Sequence, residues 1–578
     1  MSRRRALVAV VATALLASGC VQMPDSGPIH DVASGGSGSA EEAPAIDAAP
    51  PPAQAPPADI VTGFMGAMAG WPIQVGVARQ YLSKEAAAAW NPTQATMTYV
   101  GKLPPDINGN SATIELSGVE RLDEFGAWEG EAPESQQELH FSLTLEDGEF
   151  RITNPPNALI VPADWFAQRF TQMSLYFFDQ TGSILVPEPV FVPRGDQLAS
   201  TLVSRLLQPS DDLRGVSRSF LPAGDPPLSV PVTDEGVAEI DLGEVGTVPK
   251  PDDPTLSRML AQLGWTLRQV PGIRALRLSF GGQVVRPPGN DAVYTVTEGG
   301  RYDPTYAKAS QQLYALQNGR LVYGEPDELT PAVGPLGAEG DHGLRSIAVS
   351  LDGSDVVGVT SDGTGLVTAP VHASDTDPRP LLSGAADLLP PAWDFADRLW
   401  LVDNAPSGAR VSYLEGRRPV SIRVPGVSGH RVRSFLVSRD GTRFVAVVAD
   451  QGRGDQIRVG RVRHDGQGRV AAVARTRPIP VKDVQRSRIV DVAWTSPTSI
   501  LVARAGAGQS SEVSTVPVDG APSESLSTPV GGRVLGLAAS PDGTSTPFAV
   551  TPEGLVDLDT GTVTPFFGGP LRSATYVG

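Results

Sequence analysis

Cys20 is the single cysteine among 578 residues, and its setting defines a specific chemistry. It closes the run Leu15-Leu16-Ala17-Ser18-Gly19-Cys20, which follows the basic start Arg3-Arg4-Arg5 and the apolar stretch Ala6 to Leu16. That stretch is shorter than the roughly 20 residues a bilayer-spanning helix needs, so it reads as the core of an export signal. Small residues before Cys20 suit cleavage between Gly19 and Cys20, which makes Cys20 the new N-terminus. Its thiol is then the attachment point for a lipid such as palmitate, and the chain becomes anchored to a membrane. Ala17 stands where lipoprotein signals most often carry leucine. A plain secretory signal with an incidental cysteine is the alternative reading.

Other reactive residues are not spaced for chemistry. The histidines are His30, His140, His342, His372, His430 and His464, and no two lie close enough in sequence to form a local metal motif. No G-x-S-x-G elbow, phosphate-binding P-loop or dinucleotide-binding glycine fingerprint occurs. The expectation is therefore no catalytic residue, no cofactor, no metal, and a protein that is not an enzyme.

Cleavage at Cys20 would remove three arginines and shift the formal charge from −18 to −21. An exported chain this acidic is not expected to bind nucleic acid. With one cysteine, no internal disulfide can form, so ordinary apolar cores must hold the fold together. The length allows about three or four domains.

Residues 1–19 read as the signal peptide, and residues 20–58 as the lipidated cysteine followed by a disordered tether rich in proline, glycine and serine. Residues 59–162 read as an α+β domain of NTF2-like or cystatin-like type. Ile60, Phe64, Met65 and Met68 recur at helical spacing, and a second helix is expected from Val77 through the alanine run to Trp90. Alternating strands follow, with a hairpin closed at Glu146-Asp147-Gly148. His140, in one of these strands, reads as structural.

Residues 168–286 have the order strand, strand, helix, strand, helix, strand. Leu198, Leu202, Val203 and Leu206 form the stripe of the first helix, with Asp196 as its expected cap. Leu256, Met259, Leu260, Leu263 and Leu267 form the stripe of the second. Asp179 and Asp241 read as solvated turn residues. The segments YFFDQTGSILVPEPVFVP, LASTLVSRLLQP and AQLGWTLRQVPGIRALRLSFGGQ resemble the GerMN domain of spore-germination proteins. The resemblance implies a fold and carries no catalytic set.

Residues 313–577 are repetitive. SIAVSLDGSDVVGVT, SFLVSRDGTRFVAVVA and LGLAASPDGTSTPFAV share a strand, an Asp-Gly turn and a second strand, while Trp393 and Trp494 mark two related hairpins. The markers recur at the period of a four-stranded propeller blade, which predicts about six to seven blades, one closed by both ends of the segment. The turns are explained by the tight-turn demand for Asp and Gly.

Lipid signal, tether, α+β domain, GerMN-like domain and propeller, in this order, resemble the actinobacterial LpqB lipoprotein family. GCVQMPDSGPI and VARQYLSKEAAAAWNP are further matches. The resemblance implies an extracytoplasmic, lipid-anchored protein of the cell membrane. Its implied partner is the extracytoplasmic domain of a sensor histidine kinase, in a two-component system of the MtrB and MtrA type that governs cell-wall homeostasis and division. The alternative is a factor that binds peptidoglycan or another cell-wall glycan.

Two groups in the propeller invite a binding role. Arg417, Arg418, Arg423, Arg431, Arg433, Arg439 and Arg443 make its middle basic, and an acidic partner or wall polymer would meet them. Strand periodicity scatters them over both faces, which favours ordinary solvated positions. Trp393, Trp400 and Trp494 could offer an aromatic surface, but buried blade core is the favoured reading.

Overall fold

The computed structural model describes residues 46–578, except 223–228, 244–251, 287–291, 375–376, 450–453, 482–487, 507, 509, 524–526 and 567. Most of the tether and the whole signal segment, with Gly19 and Cys20, lie outside the described residues. Packing begins earlier than the tether composition predicts. Ile46 exchanges backbone hydrogen bonds with Trp71, and the Ala49 carbonyl accepts from the Tyr81 hydroxyl, so residues 46–58 lie on the first domain.

In that domain the helix Pro57–Ala67 buries Ile60, Val61, Phe64 and Met65. The expected second helix is two short ones, Gly76–Arg79 and Lys84–Ala89. Ser83 separates them because its hydroxyl accepts from the Ala86 amide and caps the second, a bond available only to an extended residue. Two sheets complete the domain. One has the order 128–131, 120–123, 95–99, 159–162, and the other is built on strands 111–117, 138–146 and 149–152. Asp147 and Gly148 both take positive φ, as a two-residue hairpin turn requires.

The second domain pairs the long strands Phe170–Phe178 and Leu185–Pro193 antiparallel, and places Val237–Asp241 parallel to Ala275–Phe280. Helices Leu198–Leu207 and Asp253–Leu267 bury the predicted stripes. Gln197, not Asp196, precedes the first helix, and it makes no side-chain cap. Asp252 caps the second by accepting from the Thr255 amide. Asp179 is a turn residue but is buried: its carboxylate accepts from the amides of Thr181, Ser183 and Ile184, which replaces the solvent expected around it.

The third domain contains six antiparallel sheets among the described residues. Their first strands are Leu344–Val349, Ala392–Trp393, Val432–Val437, Ile489–Ser496 and Gly536–Ala538, while Leu571–Thr575 returns to pair with Leu313–Gln317. One sheet is thus closed by both ends of the segment. These six strands touch in succession, and the last reaches the first, which closes a ring around a central channel. In three of the sheets the inner strand bulges after its first residue, at Leu344/Ser346, Val432/Ser434 and Ile489/Asp491.

Side chains tie neighbouring sheets at this level. Asp491 accepts from Leu537 N at 3.0 Å, and Ser573 Oγ from Ile347 N at 2.9 Å. Ser346 Oγ is buried without a partner. At the matching place the next sheet presents Pro391, which has no N–H to give.

The three domains are joined by specific contacts. Phe191 N donates to Gly126 O across the first and second, and a side chain at Gly126 would meet that same Phe191 carbonyl. Arg477 donates to Trp128 O at 3.0 Å, joining the first domain to the propeller.

Candidate functional site in the propeller

The Ser-x-Asp-Gly turns sit at the far ends of the inner strands and are internally satisfied. Asp352, Asp440 and Asp542 each accept from the serine two residues before them and from a backbone amide after them. Gly353, Gly441 and Gly543 take the positive φ of the turn. This geometry holds a turn and leaves little for a ligand to bind.

Near these turns lie the arginines that sequence reading placed in solvent. Arg443 is 1% exposed and Arg439 is 4% exposed. Arg443 stands 3.3 Å from Glu188 and donates to the Pro187 carbonyl, both in the second domain. Arg461 forms a two-pronged bond to the same Glu188 carboxylate. Burial lowers the Arg443 pKa, while the Glu188 charge opposes that shift. Arg439 donates to Thr305 O, Ser540 Oγ and Val577 O, and burial pushes its pKa down to about 10. Arg417, Arg418, Arg423 and Arg431 are exposed as expected, and Arg433 pairs with Asp455 at 2.8 Å.

The tryptophans are core residues. Trp400 is fully buried and donates to Asp394 at 2.9 Å, Trp494 donates to Val437 O, and Trp393 is half-buried. Of the histidines, His140 is exposed beside Thr113. His464 is buried against the second domain, and burial holds its pKa down to about 4. His342 lies near Ala338 O and His372 against the Tyr323 ring, while His30 falls outside the described residues. Among the described residues no three His, Cys, Asp or Glu side chains gather as a metal site.

The channel itself is a cavity of about 470 Å³ lined by all six inner strands. Arg439, tied to Thr305 and Val577, stands at the Asp-Gly end. The opposite mouth carries Arg345, Ser346, Ser434, Asp491, Leu535 and Arg572. Asp491 is saturated by Ser434, Val492 and Leu537, although burial raises its pKa. A second, polar cleft of about 410 Å³ lies between Thr93, Glu124 and Phe125 of the first domain and Ser200, Thr201, Ser204 and Gln208 of the second.

Family models match each domain. Residues 50–167 match the Lipoprotein LpqB N-terminal domain, residues 174–286 the sporulation and spore germination domain, and residues 319–556 the Lipoprotein LpqB beta-propeller domain. The chain belongs to the LpqB lipoprotein family. Relatives named Lipoprotein LpqB align along most of it. That of Streptomyces coelicolor is 27% identical over 566 residues, covering 90% of this chain and 89% of the relative. That of Thermobifida fusca is 28% identical over 523 residues, covering 80% and 82%. That of Mycobacterium tuberculosis is 27% identical over 517 residues, covering 83% of each. As an LpqB-family chain it combines the N-terminal, germination-type and propeller domains, and no helix among the described residues is long and apolar enough to cross a membrane. The functional residues that sequence reading missed are Glu188 and Arg461. Their only signal was a lone acid inside the apolar, proline-flanked run VPEPV and a basic residue in a strand.

Proposed function

We propose that this protein is a non-enzymatic regulator, held by a lipid on Cys20 at the extracytoplasmic face of the cell membrane. It binds the extracytoplasmic domain of a sensor histidine kinase and biases the kinase between signalling states. The observation that carries this reading is the locking of the second domain to the propeller through Glu188, Arg443 and Arg461. A body fixed in this way presents its surfaces in one arrangement and needs little reordering on binding. Regulation then requires only that the body bind one kinase state more tightly than the other. Membership of a family whose members are named lipoproteins supports the anchor.

The cleft between Thr93, Phe125 and Ser204 favours a second reading, a cell-wall glycan as ligand. Hydroxyl and amide groups beside one aromatic ring suit a sugar.

Calorimetric titration of residues 21–578 with the purified kinase domain tests the first reading, and saturable binding is expected. No heat at high protein concentration, together with binding of soluble peptidoglycan fragments, would replace it with the second.

A further inference from the structure

Arginines recur at or near the starts of the inner strands, and two of them, Arg345 and Arg572, line the channel mouth itself. Superposing the inner strands by their bulges aligns Leu344-Arg345-Ser346 with Val432-Arg433-Ser434 and Ile489-Val490-Asp491, while in Leu571–Thr575 the irregularity falls after Arg572. Arg345, Arg433 and Arg572 are each the second residue of an inner strand. Arg431 and Arg488 stand immediately before the strand start in two successive sheets, and Arg533 three residues before it in the next. Every sheet except the one opening with Pro390-Pro391 contributes at least one arginine.

Two of the six are used within the fold, Arg345 on Asp387 at 2.7 Å and Arg433 on Asp455 at 2.8 Å. The other four, Arg431, Arg488, Arg533 and Arg572, are exposed, and among the described residues they make no ion pair or side-chain hydrogen bond. A free cation on an acidic protein is ordinarily close to an acid of its own chain. Four with no acid partner among the described residues, on a chain of net charge −18, gather positive charge at one rim. Of the carboxylates at this end, Asp387 and Asp455 are taken by Arg345 and Arg433, Asp491 has its oxygens already occupied, and Glu553 lies beside Gly532.

We infer that this rim is the docking site for an acidic segment of a protein partner, with carboxylates on the four free arginines and an apolar residue in the channel mouth. Two features favour a peptide over a polyphosphate. Leu535 is 49% exposed and lines the mouth among the arginines, an apolar contact that a peptide side chain covers and a phosphate chain does not. The guanidinium fork also matches a carboxylate in two-pronged geometry. The rim lies at the opposite end of the inner strands from Arg439 and Arg443, so it faces away from the junction with the second domain.

This inference rests on the regulator reading for the identity of the partner, and the test separates the two. Residues 21–578 are titrated with a fluorescent peptide of glutamates flanking one leucine, with its glutamine counterpart, and with inorganic polyphosphate. The same is done for a variant carrying R431A, R488A, R533A and R572A, whose exposed, unpaired side chains leave the fold intact by circular dichroism. Saturable binding of the glutamate peptide is expected, at least tenfold weaker in the variant and in about 0.5 M salt than in about 0.05 M salt. Equal binding by the variant, or binding of polyphosphate in place of the peptide, overturns the inference. The kinase domain is titrated against both proteins in parallel. Equal affinity for both removes the rim and leaves the regulator reading standing, whereas arginine-dependent peptide binding without any kinase binding does the reverse.

Discussion

Glu188 takes both prongs of the Arg461 guanidinium while standing 3.3 Å from Arg443, so one carboxylate serves two cations across a domain boundary. Arg443 and Glu188 are 1% and 7% exposed at the side chain, so water cannot stand in for a missing partner. Glu188→Ala leaves the buried Arg443 charge with only Asp440, at 3.6 Å, as an ion-pair partner and is expected to cost about 3–5 kcal/mol. Glu188→Leu combined with Arg443→Met removes charge from both sides and should recover most of that loss. Urea unfolding of the three proteins checks the order. A double variant weaker than Glu188→Ala would mean that packing, not charge, holds the junction.

The proposed anchor rests on one atom, the Cys20 sulfur, to which the lipid would be attached. Cys20→Ala is expected to move the protein from the membrane pellet to the soluble fraction, and to weaken signalling by removing the high local concentration that tethering gives. Retention in the pellet after a salt wash would show that another contact holds it.

The legibility of these features in the sequence follows the range of the interactions behind them. Asp352-Gly353, Asp440-Gly441 and Asp542-Gly543 were readable because a tight turn is decided within four residues by φ and a short carboxylate. The burial of Trp400 was readable from its place in the continuous apolar run Leu399-Trp400-Leu401-Val402. Arg443 was not, because its partner Glu188 belongs to another domain, and periodicity gives a face without saying what covers it. Asp196 failed as a cap for a local reason: the helix begins at Leu198, where its stripe begins, so the residue before it is Gln197 and Asp196 lies one position too early. The arginine rim was half visible. Arg431 and Arg433 stood out as part of a basic run, but Arg488, Arg533 and Arg572 join them only once the strands are arranged in a ring.

Trp400 combines two contributions that substitution can separate. It is fully buried against Tyr413 and Phe444, and its indole N–H donates to the buried Asp394. Trp400→Ala is expected to cost about 3–5 kcal/mol through the cavity alone. Trp400→Phe keeps most of the volume and removes one donor from Asp394, for about 1–3 kcal/mol. Chemical denaturation followed by circular dichroism measures both. Equal losses would mean that the hydrogen bond outweighs the ring.

Asp542 gives the pH prediction. Burial alone would raise its pKa, but the amides of Ser545 and Thr544 and the hydroxyls of Ser540 and Ser545 outweigh burial and hold it at about 2, below the ordinary 3.8. The folded value lies below the unfolded one, so the charged carboxylate stabilises the fold fully above about pH 4. That stabilisation is lost as pH falls from there towards 2. Asp542→Asn should therefore lower the thermal midpoint at neutral pH, with a gap to the wild type that narrows steadily below about pH 4. Because the other carboxylates titrate identically in both proteins, the gap isolates this one turn. The effect should also reach Arg439 at the Asp-Gly end of the channel, since Ser540 donates to Asp542 while accepting from Arg439. A gap that stays constant from neutral to acid pH would mean that the carboxylate contributes shape to the turn and not charge.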